Sequence, residues 1–222
     1  VLGLASPCSF AEEARQLPEM TVEGESVGNA AVFPVDLEQA PLTTPDTAAL
    51  LQRAPGANVN RNGPLTGLAQ YRGMFGDRVN VQTNGIRINT GGPNGMDPAL
   101  SYIPRSQLGS LEVIRGIAPV SSGVETIGGT IIANNKTSEF AGSDKVTPAV
   151  DLSTGGATVD DSWFTSGLGS VANRNHRLHA YGSYEKGDDT DIPDGSIRPS
   201  EYKRKNYGAG YGFQVNGQEI QQ

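Results

Sequence analysis

Along this chain, short apolar stretches are broken by glycine- and proline-bearing turns, and the texture changes near Val146. Before that point the segments are brief and varied. Thr44-Pro45-Asp46 supplies a capping residue, a proline for the first helical position and an acid for the first turn. Leu50, Leu51 and Ala54 then give an apolar face that Pro55-Gly56 ends, which predicts a short helix. Strands are predicted around 57–60, 69–72, 78–82 and 87–89. The last follows an Asn84-Gly85 turn whose two residues both tolerate positive φ. A glycine-rich loop over 89–98 leads to a helical turn near 104–108, then to strands over 111–115 and 130–134.

After Val146 come strand-length segments separated by polar turns: DLSTGGATVD, SWFTSGLGSVA, HRLHAYGSYEK and KNYGAGYGFQVNG. The last alternates most clearly. Tyr207, Ala209, Tyr211, Phe213 and Val215 fall on one face, and Gly208, Gly210, Gly212 and Gln214 on the other. A transmembrane β-strand reads this way, and so does a strand of a soluble sandwich. Positions 146–222 have room for about four strands of about ten residues each.

The front of the chain is different again. Met20 and Val22 alternate with Glu19, Thr21 and Glu23 behind Pro18, a strand pattern too short to fold alone. Such a segment suits addition to the sheet edge of a partner. Residues 1–11, VLGLASPCSFA, carry no charge and end Ser9-Phe10-Ala11, with small residues where signal peptidase cuts. They are read as the remnant of a secretory signal. Cys8 is the one cysteine, so no internal disulfide framework exists, and Pro7 before it argues against a lipoprotein. No stretch has the roughly 20 apolar residues of a membrane helix.

Composition narrows the function classes. The chain has 29 Gly and 14 Pro, with 36% hydrophobic residues, too polar for a helical membrane protein. A formal net charge of -7 excludes bulk electrostatic binding of nucleic acid. Gly24-Glu25-Ser26-Val27-Gly28 matches the hydrolase elbow formally, but no long helix pattern follows it. His176 and His179 sit three apart on a predicted strand and so face opposite sides. Asp188, Asp189, Asp191 and Asp194 crowd one turn, yet Pro193 interrupts the calcium-loop spacing. Neither an enzyme nor a resident cofactor is expected.

Two blocks resemble the plug of TonB-dependent outer-membrane receptors. One is QYRGMFGDRVNVQTNGIRI, with its Arg-Gly strand end, Gly-Asp-Arg turn and following turn. The other is IPRSQLGSLEVIRGIAPVSSGVETIGGTIIANNK, with an acidic-apolar strand, Arg-Gly, a small-residue loop and Gly-Gly. The chain departs from the family's habit in having Asn84 before Gly85, where Asp is usual, and Thr130 after the Gly-Gly.

The resemblance implies an α+β plug domain, a mixed short-stranded sheet with small helices, followed by the first antiparallel strands of a transmembrane β-barrel. The implied layout is a signal remnant over 1–11, TonB box and linker over 12–40, plug over 41–145 and barrel strands over 146–222. Since a plugged barrel has about 22 strands, the chain is expected to be a fragment of the receptor. The resemblance also implies that Leu17, Pro18, Glu19, Met20, Thr21 and Val22 form the TonB box, and that TonB is the partner that couples transport to the inner-membrane proton gradient. Arg72 and Arg115, each before a glycine, match family arginines that face barrel-wall carboxylates. Asn60, Asn62, Asn94 and Met96 would lie in substrate-facing loops. The loop GGPNGMDPALSYIP is similar to that of the copper-receptor subfamily, where a Cys-x-x-x-Met pair offers sulfur to the metal. Met96 holds the methionine position, and Gly92 stands in place of the cysteine. The expected cargo is a metal ion or chelate (siderophore, copper or cobalamin), and outer-membrane lipid is expected to surround the barrel. A passive porin or adhesin barrel would lack the TonB-box strand and the Arg-Gly plug blocks, and a periplasmic binding module made of the plug alone would have no use for the strands after Val146.

Overall fold

The computed structural model describes residues 32–90, 95–116, 126–215 and 218–221. The proposed signal remnant, Leu17–Val22 and Asn94 lie outside the described residues.

The N-terminal unit is built on a five-stranded sheet in the order β1-β6-β7-β4-β5. Its strands are β1 (Val32–Pro34), β4 (Asn80–Thr83), β5 (Ile86–Arg87), β6 (Leu108–Ile114) and β7 (Thr130–Asn135). Only β4 and β7 run parallel; the other pairs are antiparallel. A separate hairpin joins β2 (Ala57–Arg61) to β3 (Gly67–Tyr71). The Asn84-Gly85 turn forms as its sequence predicts, with φ of 51° and 75° at its two residues.

The helix expected after Thr44 is a 3-10 segment over Thr47–Arg53, and its cap is Asp46 rather than Thr44. The Asp46 carboxylate accepts the Ala48 N–H at 3.0 Å, and Pro45 stands ahead of the cap. Seven residues before Pro55-Gly56 leave little to gain from α-helical propagation. The Thr47 hydroxyl also donates to Ile103 O at 2.5 Å, which ties the segment to its neighbour. Leu50, Leu51, Leu100, Ile103, Leu111, Val113, Ile131 and Tyr71 pack between the 3-10 turns and the sheet as the core of this unit. The sheet also reaches into the stretch read as linker. Val35 N–H bonds Leu111 O at 2.8 Å, and Arg105 donates to the carbonyls of Leu37 and Ala40.

The second unit is an antiparallel meander in the order β14-β13-β10-β9-β8. It contains β8 (Thr147–Ala157), β9 (Ser162–Ala172), β10 (His176–Gly187), β13 (Tyr202–Val215) and β14 (Gln218–Gln221). A small hairpin, β11 (Thr190–Ile192) with β12 (Gly195–Ile197), caps the connection between β10 and β13. Alternate residues face opposite sides. On one face Leu152 is 78% exposed and Tyr207 85%, while on the other Phe164, Leu168, Arg177 and Glu185 are buried against the N-terminal unit. Glycines make room on that inner face: a Cβ at Gly208 would meet the Tyr181 ring at 2.5 Å, and one at Gly210 would meet His179 at 2.5 Å. The described strands do not close on themselves; β8 and β14 end the sheet.

Candidate functional site: the junction and the outer loops

Three tiers of polar contacts join the two units. At the end where the chain passes into β8, Lys136 Nζ lies 3.2 Å from Asp151 Oδ2, and Arg177 Nη1 donates to Ser138 O at 2.5 Å. The Arg177 guanidinium also covers the Phe140 ring, 4.8 Å from its centre. Halfway along, Gln107 Nε2 donates to Ser166 Oγ at 2.5 Å and to Gly182 O at 3.1 Å. Beside it, Asn135 Nδ2 donates to the Tyr181 hydroxyl at 3.0 Å. In the third tier Arg204 holds Glu185 and reaches Ser101 O at 3.0 Å and Pro45 O at 2.9 Å. Asn206 Nδ2 completes the tier by donating to Tyr102 O at 2.6 Å.

The third tier connects to a surface loop through one residue. Pro45, whose carbonyl Arg204 holds, precedes Asp46, and the Asp46 carboxylate lies against Gly67 at the loop end of the β2–β3 hairpin. Burial pushes the Asp46 carboxyl above the usual carboxylate range; hydrogen bonds from the Ala48 and Gly67 backbones and the charges of Arg61 and Arg204 pull it partly back. The β2–β3 hairpin presents Asn60 and Asn62 to solvent. Gly95 approaches it closely: a Cβ there would lie 3.0 Å from Leu68, the residue paired with Asn60. The two loops read from sequence as substrate-facing therefore adjoin, and Met96 next to Gly95 is 62% exposed. Nearby, the Tyr102 hydroxyl donates to Asp97 at 2.6 Å, and that contact raises the Tyr102 pKa.

Comparison with known proteins decides what this arrangement is. Residues 22–130 match the family model of the TonB-dependent Receptor Plug Domain. That stretch is a plug domain of the TonB-dependent receptors.

Among solved structures, the chain is similar to the copper transporter OprC, with 28% identity over 85% of this chain and 28% of that one, at a TM-score of 0.69. It shares its fold with the siderophore receptor PirA from Acinetobacter baumannii, at 20% identity over 85% of this chain and 30% of that one, TM-score 0.59. The same holds for the FrpB iron transporter from Neisseria meningitidis, at 14% identity over 78% and 27%, TM-score 0.63. The chain thus spans under a third of the length of these structures. Members of the family are bacterial outer-membrane proteins and are receptors rather than enzymes. The N-terminal unit is accordingly the plug, and the meander is the barrel wall beside it.

Sequence reasoning placed the plug–wall contacts on Arg72 and Arg115. Both are exposed, and among the described residues neither forms an ion pair. Arg72, at φ 52°, turns the chain with Gly73 between Tyr71 and Met74. Arg115 stacks over Phe33, 4.6 Å from the ring centre. The contacts with β8, β9, β10 and β13 run through Gln107, Asn135, Lys136, Arg177, Arg204 and Asn206, which sequence reasoning did not single out for this role. Arg204 had a usable signal: it shares the parity of Gly208 and Gly210, the inward face, where a charge needs a partner.

Proposed function

We propose that this receptor takes part in energy-coupled import of a metal ion or metal chelate, with copper the favoured cargo. The observation that carries the reading is the 28% identity to the copper transporter OprC over 85% of this chain. The siderophore and iron neighbours resemble it at 20% identity or less, which speaks for the fold alone. At residue level, the exposed Met96 offers a thioether in the outer loops, a soft ligand suited to reduced copper. With Gly92 in place of a second sulfur, one thioether is a weak site, so the cargo would draw its other ligands from elsewhere in the receptor.

In this proposal Leu17–Val22 joins the sheet edge of TonB as an added strand, and pulling on it loosens the plug. Arg72 and Arg115 would pair with carboxylates on wall strands other than β8, β9, β10 and β13, and Asn60, Asn62 and Asn94 would line the cargo's approach.

The test uses the complete receptor in cells, following radioactive copper and a ferric siderophore in parallel. Copper should accumulate in a receptor-dependent way, Met96→Ala should weaken its binding, and Met20→Pro should stop uptake while leaving surface binding intact. Receptor-dependent uptake of the ferric siderophore with none of copper would overturn the cargo assignment. Unimpaired uptake by Met20→Pro would overturn the TonB box.

A further inference from the structure

The charge run Lys203-Arg204-Lys205 is split by strand geometry. Arg204 turns inward to Glu185, while Lys203 and Lys205 face out on the same side as Tyr207, Ala209 and Tyr211. On this outward face the strand registers build rows. Trp163, Lys186 and Lys203 form one row, and Thr165, Tyr184 and Lys205 the next. Apolar and small residues follow: Leu152, Gly167, Gly182 and Tyr207, then Val150, Gly169, Ala180 and Ala209.

These rows fix a depth in the membrane. The stretch from Lys203 to Phe213 covers about 33 Å of strand and, at a tilt of about 40°, about 25 Å of membrane thickness, the height of an outer-membrane barrel's apolar band. The lysine rows therefore stand at one boundary of that band. It is the outer boundary, because the long connection between β10 and β13 leaves from this end. The chain passes from the plug into β8 at the opposite end.

The local chemistry is cationic and aromatic. Lys203 Nζ lies 5.7 Å and Lys205 Nζ 5.9 Å from the centre of the same Tyr184 ring, which packs 4.9 Å from Trp163. Lys186 is already held by Asp188 at 2.9 Å, whereas Lys203 and Lys205 make no ion pair among the described residues. Two unpaired ammonium groups on one face of one strand repel each other, and an anion between them would relieve that repulsion.

We propose that Lys203 and Lys205, set over Tyr184 and Trp163, bind the phosphate of a phosphorylated glycolipid in the outer leaflet. The lysines contact the phosphate, the aromatic pair seats the sugar–acyl boundary, and Leu152, Val150 and Tyr207 lie along the acyl chains.

The experiment compares the complete receptor with its Lys203→Gln/Lys205→Gln variant in nanodiscs, measuring retained bisphosphorylated lipid A by native mass spectrometry. At about 1 kcal/mol for each lysine, the double variant should bind about thirtyfold more weakly. Lys203→Arg/Lys205→Arg should restore binding, and dephosphorylated lipid A should bind wild type no better than the variant. Arg174→Gln, a charge removed at the other rim, should have no effect, and heat-modifiable gel mobility checks that each variant is folded. Undiminished lipid A on the folded double variant overturns the proposal. So does phosphatidylglycerol competing as well as lipid A, since the rim would then be a general anionic-lipid anchor.

Discussion

Arg204 and Glu185 stand directly opposite each other on neighbouring wall strands, and the guanidinium that grips the carboxylate at 2.6 and 3.1 Å also holds two carbonyls of the plug. Both side chains are at most 10% exposed. Arg204 is thus satisfied from both sides of the junction, and losing either partner strands a buried charge.

That pairing gives the first prediction. Glu185→Gln or Arg204→Met alone should each cost about 3–5 kcal/mol, because one ion remains buried without its counterpart. Removing both should cost less than the two losses added together. Denaturant titration of the complete receptor across this double-mutant cycle measures the difference, and simple additivity would show that the pair is not coupled.

Gly67 is a second point of sensitivity. A Cβ there would lie 2.2 Å from Asp46 Oδ2 and 2.5 Å from Val59 Cγ2. Gly67→Ala should therefore destabilise the plug by about 1–3 kcal/mol and spread the β2–β3 hairpin at its loop end, beside Asn60 and Asn62. Hydrogen exchange at the β2–β3 amides should rise in the variant and stay unchanged in the wall strands.

Asp46 gives a pH prediction. Its carboxyl is raised above 3.8 in the folded plug, chiefly by burial, so folding favours the protonated form. Above the folded pKa the buried charge carries its full penalty; as pH falls through that value the penalty is lifted. Asp46→Ala loses the helix cap, at about 1 kcal/mol, together with this titration. The melting temperature of wild type should gain on that of the variant as pH is lowered from about neutral towards the ordinary carboxylate range. A gap that narrows instead would contradict the assignment.

Gln107 tests the middle tier. Gln107→Leu keeps the bulk but removes the donor to Ser166 and Gly182 O, leaving wall acceptors unmet at about 1–3 kcal/mol. The plug's own core, centred on Leu51, Leu111 and Ile131, does not depend on that donor. Limited proteolysis should therefore release an intact plug from the variant receptor sooner than from wild type.

Much of this protein was written in local pattern. The period-two alternation after Val146 set which residues face lipid, because a strand has no other way to place successive side chains. Asn84-Gly85 fixed its hairpin because both residues accept positive φ. The Arg-Gly and Gly-Gly blocks carried the plug resemblance. What tertiary structure alone decided is which polar groups meet. Arg204 lies 159 positions from Pro45, and Gln107 lies 75 from Gly182, separations over which no spacing rule operates. The helix cap moved from Thr44 to Asp46 for a related reason. Either residue can cap in isolation; in the folded plug the Asp46 carboxylate takes the Ala48 N–H while the adjoining Thr47 hydroxyl is tied to the distant Ile103 carbonyl.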